Sequence, residues 1–320
     1  FDDFEGLIRN SRLTGGVGVF SGGDPIVYFS NAFSNNGFST GEGDTFDPTC
    51  AGFTNPDGSF NVLDAGGNFT GFPGCATQFA SQQAAAGLSD TQSTDPNFDV
   101  PTVLRANIGF STEFGWGEGF FDNWQLQLDY IYSHFQDPIN FVDLSQVVDP
   151  TQGLNGFTVD GRPIYVAIDP SNAGCALTLN GTGGTGLSYS GTFSDACRTR
   201  RDDEIQLTNG RSYDSHVFSF SMSKNFDRGV FTENGSVFVN FGYAFTDSNN
   251  FRNNNSSTAT SSFDESAAFD RQNPVNSTSN YETRHQFTFA VNFTEEFIDG
   301  YDTQLGMFFS ARSGRPYSLT

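Results

Sequence analysis

The stretch NWQLQLDYIYSHF, residues Asn123 to Phe135, decides how the rest of the chain is read. Trp124, Leu126, Leu128, Tyr130 and Tyr132 fall on one parity; Gln125, Gln127, Asp129, Ile131 and Ser133 fall on the other. A period of two puts the first set on one face of a β-strand and the second set on the opposite face. The pattern repeats outward in both directions. Leu104, Ala106, Ile108 and Phe110 oppose Arg105, Asn107 and Gly109, while Phe218, Phe220 and Met222 oppose Ser219, Ser221 and Ser223. Val237 to Phe245, Phe287 to Phe293 and Leu305 to Phe309 alternate likewise, with Phe308 out of phase. Each run is about 10 residues or longer, beyond the ~5–6 of a typical soluble strand and suited to a tilted strand crossing a bilayer.

The connections sort by length. Strands predicted near 102–113 and 123–136, 213–225 and 235–247, and 282–293 and 301–312 are joined by Phe114 to Asp122, Phe226 to Asn234 and Thr294 to Gly300, all short. Between the hairpins lie long stretches near 31–101, 137–212 and 247–281, rich in Asn, Ser, Gly, Thr and Asp. A further hairpin is predicted from Gly15 to Phe20 and Ile26 to Ser30 about Ser21 to Asp24, bringing the total to roughly eight strands. Ser313 to Thr320 reads as the start of another strand. Strict alternation of short and long connections is the habit of outer-membrane barrels, with long loops outside and short turns within. Aromatics gather at the short turns: Phe114, Trp116, Phe120, Phe121 and Trp124 at the first, Phe226 and Phe231 at the second, Phe293, Phe297 and Tyr301 at the third. They predict an aromatic girdle at one membrane interface.

Composition agrees. Fifteen Lys+Arg against 37 Asp+Glu leave a formal charge of 15 − 37 = −22, which disfavours nucleic acid and anionic inner-leaflet lipid as partners. Phenylalanine, 37 of 320 residues, carries the apolar load in a chain whose mean hydropathy is −0.38. No run approaches the roughly 18 apolar residues of a membrane helix, so a chain that spans lipid must do so with strands whose backbone groups pair in a closed wall. Cys50, Cys75, Cys175 and Cys197 form two close pairs, and in an exported chain Cys50 with Cys75 and Cys175 with Cys197 is the simplest of the three connectivities. Four reduced thiols in a cytosolic chain is the alternative.

Motifs of chemistry lack their contexts. Gly37 to Gly41 fits G-x-S-x-G without the helix that a nucleophile elbow needs. Gly181 to Gly186 fits G-x-G-x-x-G but is followed by LSYSGTF instead of a helix. His134, His216 and His285 sit in separate strands without metal-type spacing. No catalytic, cofactor or metal residue is therefore expected, and no enzyme activity. Acidic loop residues such as Asp44, Asp47, Asp95 and Asp264 read first as solvated, with divalent-cation binding as the minor option. Arg198, Arg200 and Arg201 are followed by Asp202, Asp203 and Glu204; local ion pairing explains them more simply than recognition of an anion or of lipopolysaccharide phosphate.

Five tracts carry a resemblance: Thr14 to Asn36 (TGGVGVFSGGDPIVYFSNAFSNN), Asp95 to Phe110 (DPNFDVPTVLRANIGF), Asp160 to Tyr165 (DGRPIY), Leu207 to Tyr213 (LTNGRSY) and Arg312 to Tyr317 (RSGRPY). In order and spacing they resemble the barrel region of TonB-dependent outer-membrane receptors, the Oar-like group, over nearly the whole chain. The resemblance implies an all-β fold: a segment of a transmembrane antiparallel β-barrel of about 22 strands with long extracellular loops. It implies that residues 1–320 are a piece of one barrel domain whose plug, TonB-contacting N-terminal segment and C-terminal strands lie outside it. Expected partners are outer-membrane lipid and lipopolysaccharide, the TonB complex through that N-terminal segment, and an extracellular ligand that the sequence does not identify. A surface adhesin or envelope assembly protein, and a small autonomous porin, are the rival readings of the same strands.

Overall fold

Period-two alternation becomes hydrogen-bonded register. Tyr130, in the middle of the opening stretch, lies between Ile108 of one neighbouring strand and Phe218 of the other. The computed structural model describes residues 7–21, 25–41, 62–63, 65–69, 71, 74–115, 119–180, 189–199, 203–252, 254 and 256–317. In chain order the strands are β1 (Ile8–Ser21), β2 (Thr91–Thr94), β3 (Thr102–Phe114), β4 (Trp124–Gln136), β5 (Ile139–Asp143), β6 (Gln146–Val148), β7 (Tyr165–Ala167) and β8 (Ala176–Leu179). They continue with β9 (Tyr189–Thr192), β10 (Glu204–Asn209), β11 (Tyr213–Phe226), β12 (Ser236–Asn250), β13 (Ser277–Thr278), β14 (His285–Ile298) and β15 (Tyr301–Arg312). The helices are α1 (Ile26–Ser34), α2 (Gly74–Ala86) and α3 (Ala259–Asp264).

Seven long strands form an antiparallel wall in the order β1-β3-β4-β11-β12-β14-β15, and β13 pairs with the end of β12. The six strands predicted from alternation are present within a few residues of their expected bounds. Within this sheet β1 and β15 are edges that do not pair with each other, so the described wall is open. The predicted first hairpin is corrected. Gly15 to Phe20 belongs to β1, but Ile26 to Ser30 lies in α1. A short apolar run fits a strand and a helix equally well by periodicity, and here Pro25 opens a helix: its carbonyl accepts the N–H groups of Tyr28 and Phe29, both at 3.0 Å. The third short turn is tighter than expected. β14 runs to Ile298, leaving Asp299-Gly300 as a two-residue turn with Gly300 at φ +78, the left-handed geometry such hairpins demand. Ser313 to Tyr317 forms no strand. It leaves the edge strand β15, where no neighbour offers a ladder to continue.

The described parts of the long connections are folded, which their polar composition did not suggest. β10 lies between β2 and β5, parallel to the first and antiparallel to the second. On this small sheet Tyr28, Phe141, Ile205, Leu207, Ala259 and Phe263 bury one another, with Phe29, Phe98 and Ile139 packed beside them. These residues come from all three long connections, so one core ties them into a layer. Each large apolar side chain buried there contributes roughly 1.5–3 kcal/mol relative to exposure. A second cluster, Ile168, Leu177 and Cys197, gathers the β6–β7 and β8–β9 hairpins and is crossed by the Cys175–Cys197 disulfide. Cys75 is also disulfide-bonded; Cys50, its expected partner, lies outside the described residues.

Candidate functional site

The wall presents two unlike faces. On the apolar parity, cross-strand neighbours form continuous rows: Leu13, Phe110, Leu128, Phe220, Tyr243 and Phe287 run across six strands in register. Leu13, Ile108, Phe218, Phe289, Leu305 and Met307 are exposed on this face. A contiguous apolar surface of this extent marks a site of contact with another apolar phase or partner. The opposite parity carries Arg12, Thr14, Ser111, Gln127, Asp129, Ser219, Ser221, Asn240 and Thr288. Arg105 Nε donates to Ser133 Oγ at 3.2 Å and Gln127 Nε2 to Asp129 Oδ2 at 2.9 Å. Glycine makes room among them: a Cβ on Gly109 would come within 2.6 Å of Asp129 Oδ1, and one on Gly242 within 2.5 Å of Thr288 Oγ1.

At the short-turn end several of the aromatic side chains meet one another. The Phe120 ring meets Phe121, Trp124 and Phe226 at 5.2, 5.7 and 5.7 Å, and Phe114 is the cross-strand neighbour of Trp124. Phe231 and Phe297 form a second contact at 6.1 Å, Tyr301 is exposed, and Phe293 lies in register with Val237 and Leu305. Trp116 lies outside the described residues. Two charged side chains fasten these turns. Lys224, the sole lysine, is buried and donates to the carbonyls of Gly119, Phe120 and Asp122 while lying 4.6 Å from the Phe226 ring centroid. The buried Glu295 carboxylate accepts the N–H groups of Val230, Phe231 and Thr232 and the Thr232 hydroxyl.

A second belt, absent from the sequence prediction, occupies the loop end of the same apolar face. Tyr130 Oη is 2.8 Å from His216 Nδ1, and Tyr243 Oη is 2.9 Å from His285 Nδ1. Asp214 Oδ1 accepts both the Tyr132 hydroxyl and His134 Nδ1, each at 2.7 Å. The three histidines thus each engage a tyrosine or an aspartate. The signal was present in sequence as His134, His216 and His285 falling toward the loop ends of their strands, on the same parity as Tyr130, Tyr132 and Tyr243.

In the loop layer, Arg198 is paired with Asp149 and Asp195. Its Nη1 meets Asp149 Oδ2 at 2.8 Å and its Nε meets Asp195 Oδ1 at 2.9 Å. Arg200, Arg201 and Asp202 lie outside the described residues, as do Asp44 and Asp47. Burial works to raise the Asp149 pKa, yet hydrogen bonds from Thr151 and Arg198 outweigh it and hold the carboxyl below its ordinary range. Asp143 shows the opposite balance. Burial dominates and lifts its pKa, although Oδ1 accepts from the Ser145 hydroxyl and amide and from the Glu204 amide. Its Oδ2 is buried without a hydrogen-bond partner among the described residues. Among the described residues no group of three His, Cys, Asp or Glu side chains is placed to hold a metal ion. No family model, no curated protein and no solved structure matches this chain.

Proposed function

We propose that this chain is barrel wall and loop layer of a TonB-dependent receptor of the Oar-like group, in the outer membrane of a Gram-negative bacterium. The observation that carries this reading is the exposed apolar face bounded by aromatic belts at both ends. From Trp124 to Tyr132 the strand rises about 27 Å at ~3.4 Å per residue, which strand tilt brings to the order of the apolar band of a transmembrane barrel. Short turns lie at one end of that band and the folded layer at the other, as expected for periplasmic and extracellular sides. The open edges of β1 and β15 leave backbone N–H and C=O groups that lipid does not satisfy, so this function needs further strands to close the wall.

In this role the chain performs no chemistry. The polar parity lines a lumen, the layer meets an extracellular ligand, and energy for passage comes from a periplasmic partner. Extraction tests the membrane part: the protein is released from envelopes by detergent and not by high salt or urea alone. Ligand-dependent crosslinking of the full-length protein to TonB tests the receptor part, and its absence in the presence of transported ligand counts for a porin.

A further inference from the structure

Where the wall meets the loop layer, the polar parity gives way to apolar residues. Phe20, Val103, Phe135 and Tyr213 are successive cross-strand neighbours at the loop ends of β1, β3, β4 and β11. Above them Phe251 and Arg252 come back from the end of β12, and a half-open cavity of about 210 Å³ is lined by Val103, Phe135, Ile139, Tyr213, Phe251 and Arg252 among others. Its aromatic walls are ordered. Phe135 and Tyr213 stack with centroids 4.6 Å apart and planes at 19°, and Tyr213 meets Phe251 edge-on at 6.3 Å.

The charge in this pocket is unusual for the chain. Arg252 is 8% exposed, and its donors go to Asn140 Oδ1, Ser266 Oγ and the main-chain carbonyls of Phe141 and Arg271. None of these is a carboxylate, although acidic residues outnumber basic ones 37 to 15. The Phe263 ring lies 5.3 Å from its guanidinium carbon and 5.5 Å from that of Arg271, supplying a quadrupole but no counter-charge. Burial, with the neighbouring Arg271 cation, lowers the Arg252 pKa to about 10, so it remains charged at neutral pH. The four bonds leave one of the five guanidinium N–H groups, on Nη1, unused among the described residues. The Tyr213 hydroxyl, in the same lining, has no hydrogen-bond partner among them either.

We propose that this junction pocket binds a small monocarboxylate bearing a single aromatic ring. The ring lies against Phe135, Tyr213 and Phe251, where offset and edge-on packing are both available. The carboxylate supplies the anion that buried Arg252 lacks among the described residues, through a charge-assisted hydrogen bond. Size restricts the class: the cavity is smaller than the ~300–1,000 Å³ that holds drug-sized ligands, leaving room for one ring and a short acid arm. The site rests on the fold of the junction and not on the transport role, so the two stand or fall separately.

The test uses the full-length protein in detergent micelles, with 3-phenylpropionate as probe and phenethylamine and 3-phenylpropanol as controls, followed by calorimetric titration. Saturable binding of the acid is expected, with both controls weaker by about tenfold or more, the scale of one hydrogen bond to a charged group. Val103→Trp fills the cavity from the wall side without touching the Arg252 contacts, and it abolishes binding. Arg252→Gln does the same; should that variant fail to fold, Val103→Trp decides. No binding of the acid, equal binding of the amine, or full binding by a folded Val103→Trp protein overturns the proposal.

Discussion

The seven-stranded wall and the layer folded over its loop end dispose of apolar surface in opposite ways. In the wall, side chains such as Leu13, Val17, Leu305 and Met307 remain exposed in rows, and what holds the strands is the register of backbone bonds and cross-strand pairs. In the layer, Phe141, Phe263, Ile205 and Leu207 are almost wholly buried, although the surrounding sequence is largely Asn, Ser, Gly and Asp. A strand wall meant for an apolar surrounding needs no second layer on its apolar face. A layer in water must enclose its own core.

Removing part of the enclosed core breaks this contrast most sharply. Phe141→Ala is expected to destabilise the layer by about 3–5 kcal/mol. Hydrogen exchange should then show lost protection in β2, β5 and β10 with β4 and β11 unchanged; a collapse of the wall as well would mean the two regions are one cooperative unit. Next in size is a charge placed on each face of β11. In bilayers Phe220→Arg should lower folding stability by about 2–4 kcal/mol, with Ser221→Arg on the other parity far milder. Equal costs in a urea titration would remove the lipid assignment of the apolar face. Lys224→Met leaves three turn carbonyls without their donor and should cost about 1.5–3 kcal/mol. Its mark is a lower heat-unfolding midpoint with faster exchange in Gly119 to Asp122.

The smallest effects separate two buried carboxyls within the layer. Asp149, with its pKa held down, contributes stability above the ordinary aspartate range that is lost as pH falls through its depressed value. Asp143, with its pKa raised by burial, costs stability when ionised, and acidification from its raised value down to the ordinary range recovers it. Relative to the native chain, Asp149→Asn should therefore lose its disadvantage in acid. Asp143→Asn should fare worse there than at neutral pH. Parallel pH profiles for the two variants would contradict the opposite balances of burial and hydrogen bonding at the two carboxyls.

Much of the wall was legible because alternation is local: each strand of Leu104 to Phe110, Trp124 to Tyr132 and Val237 to Phe245 declares both faces by itself. The gathering of Phe120, Trp124 and Phe226 at the short turns was legible too, since they flank the strands that alternation marks. The layer was not, since its core takes Tyr28, Phe141, Ile205 and Phe263 from connections far apart in sequence, with no period to betray them. The helix at Ile26–Ser34 was misjudged as a strand because a short apolar run has no period of its own. Phe20, Phe135 and Tyr213, aromatics on the polar parity, were the clue to the junction pocket.

The sequence by itself determined a long-stranded antiparallel wall with one apolar and one polar face, short turns and long connections, because backbone geometry fixes the period of two wherever a strand forms. Only the tertiary structure decided that the long connections share a core, that Arg198 pairs with Asp149, and that Arg252 lies buried beside Phe135 and Tyr213 without a carboxylate partner among the described residues. Those contacts join residues tens to hundreds of positions apart. They exist because strand register brings particular loop ends together, which no local pattern of residues encodes.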